Sequence, residues 1–375
     1  MPKSMHKTIS VIHPLTKQYD PIPRIGQGTG LTNKSLLIEE GIHHGMTLID
    51  TAENYKIEDE YVESIVGNIV NEKYYKTKTS IYLASKVSPE HLSYHDVIKS
   101  CDKTLTRLKQ SYVDIYFIHW SNPEIPLEET LRAMNTLQQQ GKIHYIGLCN
   151  FTLSQLRQAQ LYANISVLQY EYSPLERTIE TNGILGTGIP LIAYSPLVHV
   201  HHYSLKQKMV LQQLATKYHK SLSQIILNWI LRFPHLLTIP KTNNKDHLLE
   251  NSTAMDFCLE NEDLATLSTV FHPQIQYIHP EQIAVIKNES GQKIYTSMEQ
   301  AMANHWGYSP SPVSLAHEIS SSGEFLKPIR VIRQDDPENI RAVKPYHLIG
   351  GSLFYWAWRI AFGNKPIPSY VRPSS

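Results

Sequence analysis

The chain is poor in cysteine. Only Cys101, Cys149 and Cys258 occur in 375 residues, too few and too scattered for a disulfide framework or a zinc cluster, and in keeping with a reducing compartment. A dominant charge is also missing. Lys+Arg is 35 and Asp+Glu is 34, leaving a net charge of +1. That argues against a nucleic-acid binder or a polybasic membrane binder. The longest uncharged apolar stretches, residues 184–198 and 348–358, fall short of the roughly 20 residues that span a bilayer. Residues 1–15 hold no apolar run of signal-peptide length. A cytoplasmic protein with no membrane and no nucleic-acid partner is expected. What is present is a hydrophobic fraction of 41% with 18% charged residues, enough for a sizeable core.

From about residue 22 to 240, strand-like and helix-like segments alternate. Strands are predicted at 23–26, 47–50, 81–86, 113–119, 143–149, 166–169, 190–194 and 236–240, several of them continuous apolar runs of the kind buried on both faces. Helices are predicted at 97–108, 128–140, 206–218 and 222–231, with Gly141 placed as a C-cap. Eight strands with intervening helices point to an α/β fold, a (β/α)8 TIM barrel. A doubly wound sheet is the rival, but Gly26-Gln27-Gly28-Thr29-Gly30-Leu31 has leucine where a dinucleotide-binding turn needs its third glycine. The character changes near 272–280. Residues 276–375 carry 9 of the 22 prolines, 3 of the 5 tryptophans and a net charge of +2. This tail is expected to form a small α+β domain, giving a barrel over 1–275 and a second domain over 276–375. Its predicted strands are 283–286, 328–332, 346–349 and 367–371, and its predicted helices are 297–304 and 352–362.

In a barrel, catalytic groups sit at the C-terminal ends of strands. Those ends supply Asp50, with Tyr55 five residues on, then Lys86 and His119. Singly, each has a bland reading as a cap, a solvated cation or a packed ring. Together they suit proton transfer. A phenol is a poor acid near neutrality, a nearby ammonium lowers its pKa, a carboxylate fixes that ammonium, and a neutral imidazole orients a carbonyl oxygen.

The motif Asp50-Thr51-Ala52-Glu53-Asn54-Tyr55 resembles a signature of the aldo-keto reductases. So do Ala84-Ser85-Lys86, the segment from Asp114 to Trp120, Gly147-Leu148-Cys149-Asn150-Phe151, Ala193-Tyr194-Ser195-Pro196-Leu197, and Ile239-Pro240-Lys241-Thr242 followed by Glu250-Asn251. The resemblance covers about residues 8–272 and implies an NADP(H)-dependent carbonyl reductase. It implies Tyr55 as general acid, Lys86 lowering its pKa, Asp50 anchoring Lys86, and His119 orienting the carbonyl, with Trp120 facing substrate. Nicotinamide would stack on Tyr194, its carboxamide held by Cys149, Asn150 and Gln169. Gly28, Thr29 and Asp50 would border the cofactor, and Ser195, Pro196 and Leu197 would run along its pyrophosphate. Lys241, Thr242 and Asn243 would meet the 2′-phosphate, with His247 nearby, and Glu250 and Asn251 would face adenine.

This sequence departs from the family pattern in places. Cys149 stands where serine is usual, and His247 where NADPH-selective members commonly carry arginine. NADP(H) preference is therefore expected to rest mainly on Lys241. Gly30 replaces a pocket-lining tryptophan of some members, and the loop after Leu197 is short. That loop holds His199, His201 and His202, read as solvated or substrate-facing. No metal site is expected. The order 326–331, Gly350-Gly351-Ser352, then 355–358 and 367–371 is similar to the ParB/sulfiredoxin-like fold over about 280–372. Ser352 stands where sulfiredoxin has its catalytic cysteine, and no arginine follows the glycines, so neither that activity nor nucleotide hydrolysis is expected.

The first reading is thus a reductase of an aldehyde or ketone, with a keto-sugar as the polar substrate class. The alternative is an NADP(H)-binding sensor whose ParB-like domain binds a partner or nucleotide. The short loop after Leu197 and the direct continuation past 272 lead to one expectation about the tail: it shapes the barrel mouth. Deletion after Phe271 is then expected to lower kcat/KM and change the substrate range. A folded truncation with the parent's kinetics on a carbonyl panel would contradict this.

Overall fold

The computed structural model describes residues 5–30, 35–71, 80–198, 200, 203–272, 275–285, 294–324, 327–333 and 344–372. They divide into two compact units, Met1–Trp120 with Leu127–His272, and Ser121–Pro126 with Pro273–Ser375.

In the first unit, eight parallel strands follow one another in sequence order: β1 (Gln27–Gly28), β2 (Leu48–Asp50), β3 (Tyr82–Val87), β4 (Val113–Ile118), β5 (Ile143–Cys149), β6 (Ile165–Glu171), β7 (Leu191–Tyr194) and β8 (Leu236–Thr238). The sheet closes on itself where Gly26 N–H donates to the Thr238 carbonyl and Thr238 N–H donates to that of Arg24, both at 2.8 Å. The first strand was expected at 23–26. Pro23 instead ends a short antiparallel hairpin, Thr8–Ile12 with Tyr19–Pro23, and the barrel strand begins at Gln27, four residues later. The hairpin sends Val11 and Ile22 into the barrel's inner cluster.

That cluster shows how the strands are read. Leu48, Ala84, Ile115, Phe117, Val167, Ile192 and Ile239 all face inward, on the two-residue period of a strand. Phe117 fills the space beside Gly147, where a Cβ would overlap its ring. Outside pack α1 (Ser35–His43), α2 (Val62–Ile69), α3 (Tyr94–Leu108), α4 (Leu127–Gln139), α5 (Leu153–Ala159), α6 (Leu205–Tyr218), α7 (Leu222–Ile230), α8 (Lys245–Ser252) and α9 (Asn261–Val270). Local chemistry sets their starts. Thr152/Gln155, Ser204/Gln207 and Ser221/Gln224 each form a reciprocal capping box.

The second unit is α+β. Its strands are β9 (Ile275–Ile278), β10 (Ile283–Ala284), β11 (Ile329–Arg333), β12 (Tyr346–Gly350) and β13 (Ile367–Arg372), with α10 (Met298–Met302), α11 (Pro312–Ser322) and α12 (Ser352–Phe362). The sheet order is β9-β13-β11-β12-β10. Phe354, Tyr355 and Trp356 of α12 are buried, and Trp356 Nε1 donates to the Tyr295 carbonyl at 2.8 Å. Gly351 opens α12 at φ +80°, a conformation that favours glycine. No arginine follows these glycines in sequence, but β11 brings one alongside. A Cβ on Gly350 would lie 2.7 Å from Arg330 Nε. β9 and α11 were not predicted, and the predicted helix at 297–304 is shorter.

Helices α2 and α3 meet at Gly67, where a Cβ would stand 2.6 Å from the carbonyl carbon and 2.7 Å from the Cα of Leu108. Backbone cannot yield as a side-chain tip does. Gly67→Ala is expected to cost about 1–3 kcal/mol, read as a lower urea midpoint at unchanged m-value.

Candidate active site

The inward period that builds the core continues into the site. Two residues beyond Leu48 is Asp50. Beyond Ala84 is Lys86, beyond Phe117 is His119, beyond Val167 is Gln169, beyond Ile192 is Tyr194, and beyond Ile239 is Lys241. Each polar group therefore stands at the C-terminal rim, above an apolar residue of its own strand. Gly28, Gly30, Asp50, Tyr55, His119, Trp120, Cys149, Asn150, Gln169, Tyr194, Ser195, Ile239 and Lys241 line one cavity of about 350 Å³.

Its centre is a buried ion pair. Lys86 Nζ donates to Asp50 Oδ1 at 2.6 Å and to the Thr51 carbonyl at 2.8 Å. The second Asp50 oxygen accepts from Gln169 Nε2 at 2.7 Å, and the Asp50 carbonyl accepts from Thr29 Oγ1 at 2.8 Å. The Lys86 ammonium lies 5.3 Å from the Tyr55 ring centroid, and the Tyr55 and His119 rings meet edge-on at 6.0 Å. Burial works against the charge on Lys86, but Asp50 and then Tyr55 outweigh it, so its pKa is raised. Burial, followed by repulsion from Lys86, lowers that of His119 to about 3, so the imidazole is neutral near pH 7. For Tyr55 the largest single influence is Lys86, which lowers the pKa, as expected from sequence. Burial, Asp50 and Cys149 together exceed it, so the net shift is upward. The expected pull of Lys86 is present, but it does not set the net direction.

The opposite wall comes from β5 to β7. Tyr194 Oη donates to Asn150 Oδ1 at 2.9 Å, and Asn150 Nδ2 donates to Cys149 Sγ at 3.0 Å. Cys149 Sγ in turn is 3.8 Å from Gln169 Oε1. Asn150 and Ser195 hold φ of +60° and +53°, strain that persists where the surroundings dictate it and that clusters at functional sites.

The other residues singled out from sequence stand apart from this cavity wall. Thr29 is buried, its hydroxyl donating to the Asp50 carbonyl. Pro196 is buried and Leu197 packs against the layer holding Ile25 and Met46. Thr242 Oγ1 accepts from Asn244 N–H at 3.0 Å, and Asn243 is exposed. His247 is exposed on the first turn of α8, its N–H donating to the capping Asn244. Glu250 is half-buried. Asn251 is buried, and its Oδ1 has no hydrogen-bond partner. An orphaned acceptor on α8 and a lysine in the cavity wall suit a nucleotide bearing an amino group and phosphates. Sequence reasoning missed Ile239, legible as the inward residue of its segment, and Glu53, described below. His199, His201 and His202 lie outside the described residues. Among the described residues no His/Cys/Asp/Glu cluster is arranged for a metal, and no helix is long and apolar enough to cross a membrane. A larger, open depression of about 740 Å³ between α2, α3 and α4 holds none of the sequence-predicted site residues.

Fold and site together define a (β/α)8 barrel with a buried Lys–Asp pair beside a tyrosine and a neutral histidine. The Aldo/keto reductase family profile matches residues 36–271, and the chain belongs to that family of oxidoreductases. Among similar proteins, Glyoxal reductase of Bacillus subtilis is 34% identical over 230 residues, covering 60% of this chain and 79% of the relative. Methylglyoxal reductase YeaE of Escherichia coli is 29% identical over 266 residues, covering 67% and 91%. The crystal structure of an aldo/keto reductase from Klebsiella pneumoniae in complex with NADP and acetate aligns with a TM-score of 0.64 at 30% identity, covering 72% of this chain and 96% of that one.

Breaking a buried pair by removing one partner leaves an uncompensated charge. Lys86→Met is expected to destabilise the fold by about 3–5 kcal/mol, measured by urea denaturation against the parent.

Proposed function

We propose that Tyr55, Lys86, Asp50 and His119 carry out the carbonyl reduction that this family performs, on a short, polar aldehyde or ketone. The chain is an NADP(H)-dependent oxidoreductase acting on aldehydes or ketones. One observation carries the site assignment: the Lys86 ammonium, clamped by Asp50 at 2.6 Å, faces the Tyr55 ring at the same rim as the His119 ring. When bound, NADPH supplies a hydride to the carbonyl carbon. The chain's own residues handle everything else.

Tyr55 donates its phenolic proton to the carbonyl oxygen as negative charge builds there. Lys86 stabilises the phenolate left behind, and Asp50 holds Lys86 in place. His119, neutral and without a charge to attract water, orients the carbonyl by hydrogen bonding. Tyr194 offers a ring face for the nicotinamide, while Asn150, Gln169 and Cys149 meet its carboxamide. Gly28, Thr29, Ser195, Pro196 and Leu197 follow the cofactor outward. Lys241, Thr242, Asn243 and His247 meet the 2′-phosphate, and Glu250 and Asn251 meet adenine, where the Asn251 Oδ1 gains an amino donor.

The polar groups at the rim, Tyr55 and His119, with Trp120 beside them, suit a 2-oxoaldehyde or a keto-sugar. The relatives named as glyoxal and methylglyoxal reductases support the former. A cytoplasmic location, the absence of a nucleic-acid partner and a ParB/sulfiredoxin-like second domain are parts of the same proposal. They rest on composition and, for the second domain, on the order strand, glycine turn, helix, strand. The sensor alternative is disfavoured, because a sensor needs no proton donor.

The test is NADPH consumption on a carbonyl panel that includes methylglyoxal, keto-sugars and sugar nucleotides. Tyr55→Phe is expected to lose at least about 100-fold in kcat at unchanged NADPH affinity, and wild-type rates in that variant would remove the proposed acid. With His119 ionising near 3 and Tyr55 above its ordinary value of about 10, neither group titrates between about pH 5 and 9. Reduction kcat/KM should be level across that range and fall as rising pH strips the proton from Tyr55.

A further inference from the structure

One buried carboxylate beside the site has no part in the proton transfer just described. Glu53 is 6% exposed and lies on the loop between Asp50 and Tyr55. Its Oε1 accepts from the Ser88 backbone N–H at 2.6 Å and faces His91 Nδ1 at 2.9 Å. Its own N–H donates to the Lys86 carbonyl at 3.2 Å, and Thr51 N–H donates to that of Ala84 at 2.8 Å. These contacts form a series. β2 pairs with β3 up to Asp50 and Ala84. The loop then continues the ladder with Thr51 and Glu53. Beyond that point the chain leaves β3, and the next β3-side donor, the buried Ser88 N–H, has no backbone acceptor to meet. The Glu53 carboxylate supplies one.

We infer that Glu53 is a positioning residue for catalysis: its carboxylate extends the β2–β3 ladder by one rung and so fixes the loop bearing Tyr55 against the strand bearing Lys86. The inference rests on the reading of Tyr55 as acid and Lys86 as its partner. Tyr55 and Lys86 arrive on different segments, and beyond β2 only a few contacts set their separation. The Tyr55 N–H is tied to Ala52 and its carbonyl to Val62, both on its own side. Nearer β2 the Lys86 ammonium holds the Thr51 carbonyl, and Glu53 is the loop's own side chain that reaches across to β3 beyond that point.

The consequence is specific. The charged groups with the largest influence on the Tyr55 phenol are Lys86, Asp50 and Cys149, and the His119 ring lies edge-on to it. Of these, Lys86 has the strongest downward pull. Glu53 is not among these groups. Loosening the rung weakens the Lys86–Tyr55 coupling, lowers kcat and moves the alkaline limb of the reduction profile upward, because the phenolate loses stabilisation. A role in stability alone changes neither.

The full chain is assayed for NADPH-dependent methylglyoxal reduction from pH 6 to 11, with NADP+ affinity by fluorescence titration and stability by urea denaturation. Glu53→Leu is expected to lose about 10–100-fold in kcat, raise the alkaline limb and leave NADP+ affinity within about twofold. Glu53→Gln keeps an oxygen for Ser88 N–H and is expected to behave as wild type in both kcat and limb. Ser88→Pro tests the rung from the other side and guards against a Glu53→Leu variant that fails to fold. Ser88 sits at φ −73°, which proline adopts, and the substitution removes the N–H that Glu53 accepts together with a buried hydroxyl that makes no hydrogen bond. It is expected to reproduce the Glu53→Leu kinetics. Wild-type kcat and an unmoved limb in Ser88→Pro, or a Glu53→Gln variant as impaired as Glu53→Leu, overturn the inference. Tyr55→Phe in the same assay separates the two claims. If it stays active, the acid assignment has failed. If it is inactive while Glu53→Leu and Ser88→Pro are normal, only the positioning role has failed.

Discussion

The site depends on one costly arrangement, the ion pair between Lys86 and Asp50 inside the barrel rim. Taking both charges out of water carries a penalty of several kcal/mol per ion. It is offset only because nearly every hydrogen-bonding group around the pair is used. Lys86 has Asp50 and the Thr51 carbonyl, and Asp50 has Lys86 and Gln169 on its side chain and Thr29 on its carbonyl. Strands β2, β3 and β6 thus meet in one network. A network of that kind is all or nothing, since a half-satisfied one is worse than an apolar core. The barrel therefore cannot relax these strands independently, and the same rigidity holds Tyr55 and His119 in register.

The barrel supplies that rigidity by an economical rule. Inward residues alternate along each strand, and the last inward residue before the chain leaves the sheet is polar. Apolar layers of Leu48, Ala84, Phe117, Val167, Ile192 and Ile239 lie beneath a polar layer at the rim. The apolar layer excludes water from below and lowers the local dielectric, which strengthens each charge above it. In the cavity wall, left-handed backbone falls at Asn150 and Ser195, each one residue past the end of its strand.

The same rule explains what could be read without coordinates. Strand β7 was legible because a buried parallel strand is an uninterrupted apolar run, and β5 because only His144 and Gly147 interrupt its apolar residues; Lys86, His119 and Tyr194 follow at or beside strand ends. β1 was displaced because it has two residues, Gln27 and Gly28, with no apolar pattern, and its pairing with β2 and β8 is set by tertiary closure. The N-terminal hairpin was missed because Pro21 and Pro23 read as breakers, although proline is tolerated on edge strands. β9 and α11 carry weak periodicity beside Pro273 and Pro312. Glu53 was invisible in kind. It lies inside the Asp50–Tyr55 motif without a role of its own in the sequence reading, and only the geometry shows that its carboxylate stands in for a missing backbone acceptor.

The balance at Tyr55 is the last consequence of burying the pair. Sequence reasoning placed a lysine beside a tyrosine and expected it to pull the phenol's pKa down, and that pull is the largest single influence on the ring. Burial, with Asp50 and Cys149, reverses the sign, because the carboxylate that holds Lys86 also cancels part of its field at the ring. On the proposed reading, the phenol stays protonated across the neutral range, as a donor to a developing alkoxide requires, and Lys86, kept charged and in place by Asp50, would stand beside the phenolate once the proton has moved.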